Sequence, residues 1–177
     1  MTRRALLALG LIGCAKRSEL PVLNSVPSFQ LVDQTGAAFD GGRLSGKIWV
    51  ANFMFTSCTA TCPRQSTILQ RVQRETAADL VSFTVDVARD TPEVLAAFAK
   101  RYGADSERWH FLTGAVGTLN QLAYDVFQVG NVDGKLEHSS RLLLVDPKRA
   151  YRANYPTTGE ESITRLLADI KQLEKEK

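Results

Sequence analysis

The alternation of apolar and polar residues along the chain first predicts a set of β-strands. Residues 48–55 are almost continuously apolar, as expected for a central strand that is buried on both faces of its sheet. Residues 81–86 alternate apolar and polar side chains and residues 109–112 form a short apolar run, so each segment predicts another strand. An earlier strand is predicted at residues 29–32, where it ends in a turn at residues 33–36.

Apolar residues at helical spacing predict helices between these strands. Thr91 is a candidate N-cap, Pro92 suits the first helical turn and Gly103 is a stop signal, so one helix is expected between them. The apolar side chains that mark this helix and its two neighbours are Ile68, Leu69 and Val72; Leu95, Phe98, Ala99 and Tyr102; and Leu119, Leu122, Ala123 and Val126.

The C-terminal third predicts a β-hairpin followed by a helix. Residues 142–145 and 151–155 have strand patterns and are separated by a turn at residues 146–149. Thr158 is the candidate cap of the last helix, whose apolar face comprises Ile163, Leu166, Leu167, Ile170 and Leu173. Because strand and helix patterns alternate along the chain, we expect an α/β fold with a central mixed β-sheet flanked by helices.

The first residues have the pattern of a secretory signal. Arg3 and Arg4 precede an apolar run that is too short to span a bilayer. That run ends in a segment that resembles the bacterial lipobox, Leu11-Ile12-Gly13-Cys14. We therefore predict a lipoprotein signal peptide at residues 1–13 and a lipid anchor on Cys14, which would place the protein outside the cytoplasm. An ordinary signal peptide with an incidental Cys14 is the alternative.

Length and composition allow one folded domain. The chain has 177 residues, of which 44% are hydrophobic and 23% charged, which suits one core and not two. We place this domain at residues 27–177 and a polar, membrane-proximal tether at residues 14–26, with an edge strand at residues 20–23 as the alternative. Arg3 and Arg4 supply two charges of the net +3, so the rest of the chain carries a net charge of only +1. We therefore expect no basic surface for nucleic acid on the domain.

Cys58 and Cys62 are the strongest candidates for chemistry. Pro63 suits the first turn of a helix, so a helix is expected to begin near Cys62, with Cys58 in the loop before it. The free N–H groups and the positive dipole at a helix start favour thiolate over thiol. Thiolates attack disulfides or bind metals, so the pair is predicted to be reactive; an inert disulfide staple is the alternative.

The predicted strand, the cysteine pair at a helix start and the late hairpin before a C-terminal helix together resemble the thioredoxin fold. More narrowly, the chain resembles the SCO/SenC family of copper chaperones for cytochrome c oxidase assembly. The resemblance runs from about Pro27 to the end of the chain and rests on residues 55–63, with their Cys-x-x-x-Cys-Pro motif, and on residues 85–92, 109–114 and 138–140. The motif combined with a distant histidine is specific, whereas each segment alone would be weak evidence.

The resemblance implies that Cys58, Cys62 and His138 bind copper and that the protein is tethered to a membrane and faces the periplasm. The donor chemistry agrees, since two thiolates and one imidazole suit Cu(I), and added oxygen ligands can hold Cu(II). Zinc fits this donor set less well, because a structural zinc site usually has four ligands and only three are implied here. His110 lies inside a predicted strand, so we expect it to be structural or exposed.

The implied function is to deliver copper to, or to prepare the cysteines of, the dinuclear copper site of cytochrome c oxidase. The implied partners are the oxidase subunit with that site and other periplasmic copper chaperones or thiol reductants; no catalytic residue is implied. The alternative is an extracytoplasmic thiol–disulfide oxidoreductase or redox sensor. Thioredoxin-type enzymes have two residues between their cysteines and a cis-proline before the late strand, whereas this chain has three residues and Ser140.

The roles of Asp86 and Asp90 stay open at this point. The resemblance suggests that these carboxylates lie near the metal site or on a partner surface. A turn and cap role for Asp90, with its carboxylate bonded to the backbone around Thr91, is equally compatible with the sequence.

Overall fold

The computed structural model describes residues 20–59, 61–132 and 139–176, and these contain an eight-stranded β-sheet. Its spatial order is β1-β8-β7-β4-β5-β6-β2-β3. The strands are β1 (Asn24–Ser25), β2 (Gln30–Asp33), β3 (Ala38–Asp40), β4 (Trp49–Met54), β5 (Asp79–Thr84), β6 (Trp109–Thr113), β7 (Arg141–Val145) and β8 (Ala150–Pro156).

Helical segments connect and follow these strands. The α-helices in the described part of the chain are α1 (Thr61–Glu75), α2 (Pro92–Arg101), α3 (Val116–Asn120) and α4 (Glu160–Lys175). A 3₁₀-helix spans Gly41–Leu44, and a π-helical segment, Gln121–Val126, continues directly from α3. Among the described residues, no helix is both long enough and apolar enough to span a lipid bilayer.

The sheet is mixed, as the sequence predicts. Strands β4, β5 and β6 are parallel neighbours, whereas β7 runs antiparallel to β4 and forms a hairpin with β8. The parallel strands need crossover helices, which α1 and α2 supply. The α/β class, the late hairpin and the C-terminal helix are therefore confirmed.

The two faces of the sheet carry separate parts of the core. Successive residues of β4 point to opposite faces, so Val50 and Met54 pack with α1, α2 and α4, while Trp49 and Phe53 pack with α3 and the π-helical segment. Cys62 belongs to the first of these clusters. The start of α1 is thus anchored in the core, which fixes the position of the cysteine pair relative to the sheet.

Three local features differ from the sequence prediction. Strand β1 pairs with β8 and lies before the domain boundary predicted at residue 27. Strand β3, which forms a hairpin with β2, was not predicted because only Phe39 of its three residues is buried. Thr158 does not cap α4: Gly159 occupies that position with a φ of +88°, a conformation that suits glycine, and makes no side-chain cap.

Candidate metal centre

The cysteine pair lies between the end of the central strand β4 and the first turn of α1. Cys58 is half-buried in the connecting loop, and Cys62 is fully buried in the first turn of α1. The backbone N–H of Cys62 donates to the Sγ of Cys58 at 3.4 Å, and that sulfur lies 3.7 Å from the Oγ1 of Thr61. Neither side chain is in a disulfide, and the predicted helix start near Cys62 is confirmed.

The protonation of Cys62 differs from the prediction. Burial above all, and the neighbouring Cys58 thiol to a smaller extent, raises the pKa of the Cys62 thiol to about 12. The expected preference of both sulfurs for thiolate is therefore wrong for Cys62 in the metal-free protein. Removing the thiol from water disfavours its charged form more than the helix start and the Phe55 and Thr61 contacts favour it.

Asp90 holds the loop that carries Cys58. Its carboxylate is fully buried and accepts hydrogen bonds from the backbone N–H of Thr56 at 3.1 Å and from the Oγ1 of Thr56 at 2.5 Å. It also accepts from the Oγ1 of Thr84, at the end of β5, at 2.5 Å. Asp90 is thus bonded to the cysteine loop, and the cap of α2 is instead the side chain of Thr91.

Asp86 lies in the same turn as Asp90, where its carbonyl accepts from the Asp90 N–H at 2.9 Å, whereas His110 lies in β6. The Asp86 carboxylate is nearly buried and lies 3.6 Å from the guanidinium of Arg89. His110 is buried in β6 against the ring of Phe39, at 4.9 Å between centroids, and its Nε2 has no hydrogen-bond partner among the described residues. Burial, and then Arg43, lowers its pKa. These contacts indicate a structural role for His110.

Two predicted site residues, His138 and Cys14, lie outside the described residues. The flanks of His138 are described: Val132 donates its N–H to the Oδ1 of Asn120 at 2.8 Å, and Ser139 accepts from the Nε2 of Gln65 at 3.0 Å. Among residues 20–59, 61–132 and 139–176, no three metal-binding side chains cluster. The described part of the site is therefore the cysteine pair alone.

Two buried polar residues next to the pair, Gln65 and Ser66, were not predicted from the sequence. Gln65 and Ser66 follow Cys62 on the buried side of α1, and Gln65 bonds to Asn52 of β4. The signal was available, because Gln65 stands three residues after Cys62 and four before Leu69, which places it on the apolar face of the helix.

Residues 18–175 of the chain match the SCO1/SenC family. The protein belongs to this family. The match covers the cysteine pair, His138 and every described strand and helix.

Solved structures of related proteins agree with this SCO1/SenC assignment. A SCO1/SenC family lipoprotein from Bacillus anthracis is 29% identical, with a TM-score of 0.77 over 85% of this chain and 95% of that one. BsSco, a member of the Sco family of cytochrome c oxidase assembly proteins that has a disulfide switch, is 25% identical, with a TM-score of 0.76 over 90% of this chain and 100% of that one.

A third structure extends the comparison to a protein with copper bound. ScoI of Bradyrhizobium japonicum was solved with copper and is 23% identical, with a TM-score of 0.66 over 83% of this chain and 98% of that one. At this identity the likeness concerns the fold. Together the three structures confirm the predicted thioredoxin-like architecture of SCO proteins for this chain.

The geometry of the pair allows two kinds of chemistry. Two thiols on one loop-and-helix junction can bind a soft metal ion once both are deprotonated. The same two thiols can instead form and break a disulfide, with the more exposed Cys58 open to attack by another thiol.

Proposed function

We propose that this protein binds copper through Cys58, Cys62 and His138 and serves cytochrome c oxidase assembly by delivering copper to, or preparing the cysteines of, the dinuclear copper site. Membership of the SCO1/SenC family supports the assembly role. The copper-site subunit of the oxidase is the proposed partner, and other periplasmic copper chaperones or thiol reductants would load or reduce the protein.

The observation that carries this proposal is the proximity of two reduced cysteines at the start of α1, where the Cys62 N–H lies 3.4 Å from the Sγ of Cys58. Two sulfur donors so placed favour a soft ion that accepts a low coordination number, which describes Cu(I). A structural zinc site would need four ligands, and the described residues contribute two. His138 would add the nitrogen that Cu(II) requires.

Competition for Cu(I) against a chelator tests the ligand set. Cys58→Ser and Cys62→Ser should each lose the ion, because a hydroxyl is a hard donor and one remaining thiolate is insufficient. His138→Ala should weaken Cu(II) binding more than Cu(I) binding, and His110→Ala is the control that should change neither. A cysteine variant that binds Cu(I) like the wild type would overturn the proposal.

A thiol–disulfide oxidoreductase or redox sensor is the second candidate. The difference in exposure within the pair favours it, since half-buried Cys58 could be attacked and buried Cys62 could close the disulfide. Against it stand the three residues between the cysteines and Ser140 directly before β7. We expect slow turnover in a disulfide-reduction assay with dithiothreitol; a rate close to that of a thioredoxin would favour the enzyme.

The proposed location is the periplasmic face of a bacterial membrane, with Cys14 as the lipid anchor. The lipobox-like segment supports this, and the related Bacillus anthracis protein is described as a lipoprotein. Cys14→Ser should release the protein from membranes during cell fractionation, because the acyl chains provide the attachment. If the variant stays as firmly bound as the wild type, the anchor lies elsewhere.

A further inference from the structure

A chain of hydrogen bonds, buried except for its last, partly buried link, runs from β6 to Ser139, the residue that follows His138 in the sequence. The Nε1 of Trp109 donates to the Oγ of Ser82 at 3.0 Å, and this hydroxyl donates to the Oδ1 of Asn52 at 2.7 Å. The Nδ2 of Asn52 donates to the Oε1 of Gln65 at 3.1 Å. The Nε2 of Gln65 then donates to the carbonyl oxygen of Ser139 at 3.0 Å. The bonds thus connect β6, β5, β4 and α1 to the residue that follows His138.

The direction of every bond in this chain is fixed by its two ends. An indole N–H can only donate and a backbone carbonyl can only accept. Ser82 must therefore donate onward, which turns the Asn52 amide so that its NH₂ faces Gln65, and the Gln65 amide so that its NH₂ faces Ser139. Both ends require the same orientation of each amide, so the NH₂ group of Gln65 faces the carbonyl oxygen of Ser139.

Because these polar side chains are buried, any of them left without a hydrogen-bond partner would destabilise the fold. Gln65 is fully buried, and Asn52 and Ser82 are each 1% exposed. A buried amide without hydrogen-bond partners is destabilising, whereas an apolar side chain at this position of α1 would need no partner. The Gln65 amide accepts from Asn52 and donates to Ser139, so it bonds the start of α1 both to β4 and to the backbone just before β7.

We propose that Gln65 is a positioning residue that fixes His138 relative to the cysteine pair; this rests on the proposed copper function. Gln65 and Cys62 lie one turn apart on α1, so the bond ties Ser139 to the helix that carries a copper ligand. Adjacent Cα atoms are about 3.8 Å apart, so holding Ser139 also restricts the backbone of His138. Thr157 supports the same strand entry by donating its N–H and its hydroxyl to the carbonyl of Ser140, each at 2.9 Å.

The test compares two glutamines on the same helix. Gln65→Met keeps the length of the side chain and removes both hydrogen bonds. Gln73→Met is the matched control, since the Gln73 amide also donates to a backbone carbonyl, that of Gly103, and accepts from a backbone N–H, that of Asp105, far from the cysteines. Cu(II) affinity is measured for each variant in the wild-type and the His138→Ala background, with the electron paramagnetic resonance spectrum recorded for nitrogen coupling.

We expect Gln65→Met to weaken Cu(II) binding about tenfold and to reduce the nitrogen coupling, because groups that orient a ligand typically change metal affinity by about 10- to 100-fold. In the His138→Ala background the same change should have an effect below about twofold. Gln73→Met should leave Cu(II) binding unchanged in both backgrounds. Equal weakening in both backgrounds, or no weakening in the wild type, would overturn the inference.

The design separates this inference from the proposed function. If His138→Ala weakens Cu(II) binding and Gln65→Met does not, only the role of Gln65 fails. If His138→Ala itself changes nothing, the ligand set fails and the positioning role fails with it. Should Gln65→Met not fold, Ser82→Ala opens the hydrogen-bond chain one link earlier; we expect about threefold weaker Cu(II) binding that again depends on His138, and its absence would overturn the inference.

Discussion

The two ends of helix α1 carry similar polar side chains but bury them to very different degrees. At the cysteine end, Cys62, Gln65 and Ser66 are buried, and the fully buried Asp90 holds the preceding loop. Gln65 joins the helix start to β4 and to Ser139, and Asp90 joins the preceding loop at Thr56 to the end of β5 at Thr84. Polar groups in such positions are stabilising only as a complete network.

At the far end of α1 the polar side chains reach solvent. Arg71 pairs with Glu75 at 2.8 Å and with Glu160, and all three side chains are at least one-third exposed. Gln73 bonds the loop around Gly103 from a partly exposed position. Exposed contacts of this kind exchange readily with contacts to water and contribute little to the free energy of unfolding. The candidate site is therefore distinguished by polar side chains that are buried and hydrogen-bonded to one another, and not by polar side chains as such.

The largest expected effect comes from removing Asp90. Asp90→Ala leaves the Thr56 N–H and the hydroxyls of Thr56 and Thr84 without their acceptor, so we expect the free energy of unfolding to fall by about 3 kcal/mol. The control is Asp105→Ala near the far end, where the carboxylate bonds Glu107 and Arg108 at the surface. Urea unfolding of both variants should give a much smaller loss for Asp105→Ala; equal losses would remove the difference between the two ends.

The burial of Cys62 should make copper binding depend on pH. Because its pKa is raised to about 12, the thiol is protonated at neutral pH and must release its proton when copper binds. The apparent Cu(I) affinity should therefore rise at least about tenfold per unit between pH 6 and pH 8. Chelator competition at three pH values, corrected for protonation of the chelator, measures this slope. An affinity that does not change with pH would show that Cys62 binds without losing a proton.

Replacing His110 tests whether a buried polar side chain outside the hydrogen-bond network affects the free energy of unfolding. His110→Phe removes a buried nitrogen that has no described partner and keeps an aromatic ring against Phe39, so stability at pH 7 should stay within about 1 kcal/mol of the wild type. The lowered pKa of His110 means that the unfolded chain takes up a proton as pH falls through about 6.5 while the folded protein resists it. Wild-type stability should thus fall between pH 7 and pH 5, and the variant should lose less.

The smallest effect is expected at the exposed end of α1. Arg71→Ala removes contacts to Glu75 and Glu160 that lie in solvent and are screened by salt. We expect no measurable change in the thermal unfolding midpoint or in Cu(I) affinity at physiological ionic strength. A clear drop in either quantity would mean that this end of the helix is coupled to the site.

Much of the fold was predictable because its signals are local. The apolar run of β4, the Thr91–Pro92 start of α2 and the turn between β7 and β8 are each encoded in a few neighbouring residues. Strands β1 and β3 were not predicted, since two or three residues are too few for a period and their place depends on distant pairing partners.

The site was only partly predictable for the same reason. Pro63 after a strand-like run was enough to place Cys58 and Cys62 at a helix start. Two features of the site depend on how deeply α1 packs on the sheet: the raised pKa of Cys62 and the orientation of the Gln65 amide. No pattern of neighbouring residues predicts that depth. His138 and Cys14 remain predictions from motif and resemblance.

Cu(I) competition on the fully reduced and fully oxidised protein tests the central claim most directly, because copper must bind to the thiolates of Cys58 and Cys62 and a disulfide between them leaves none. The reduced protein should retain one Cu(I) ion against the chelator, the oxidised protein should retain none, and re-reduction should restore binding. Equal Cu(I) affinity in the two states would contradict the assignment of Cys58 and Cys62 as the copper ligands.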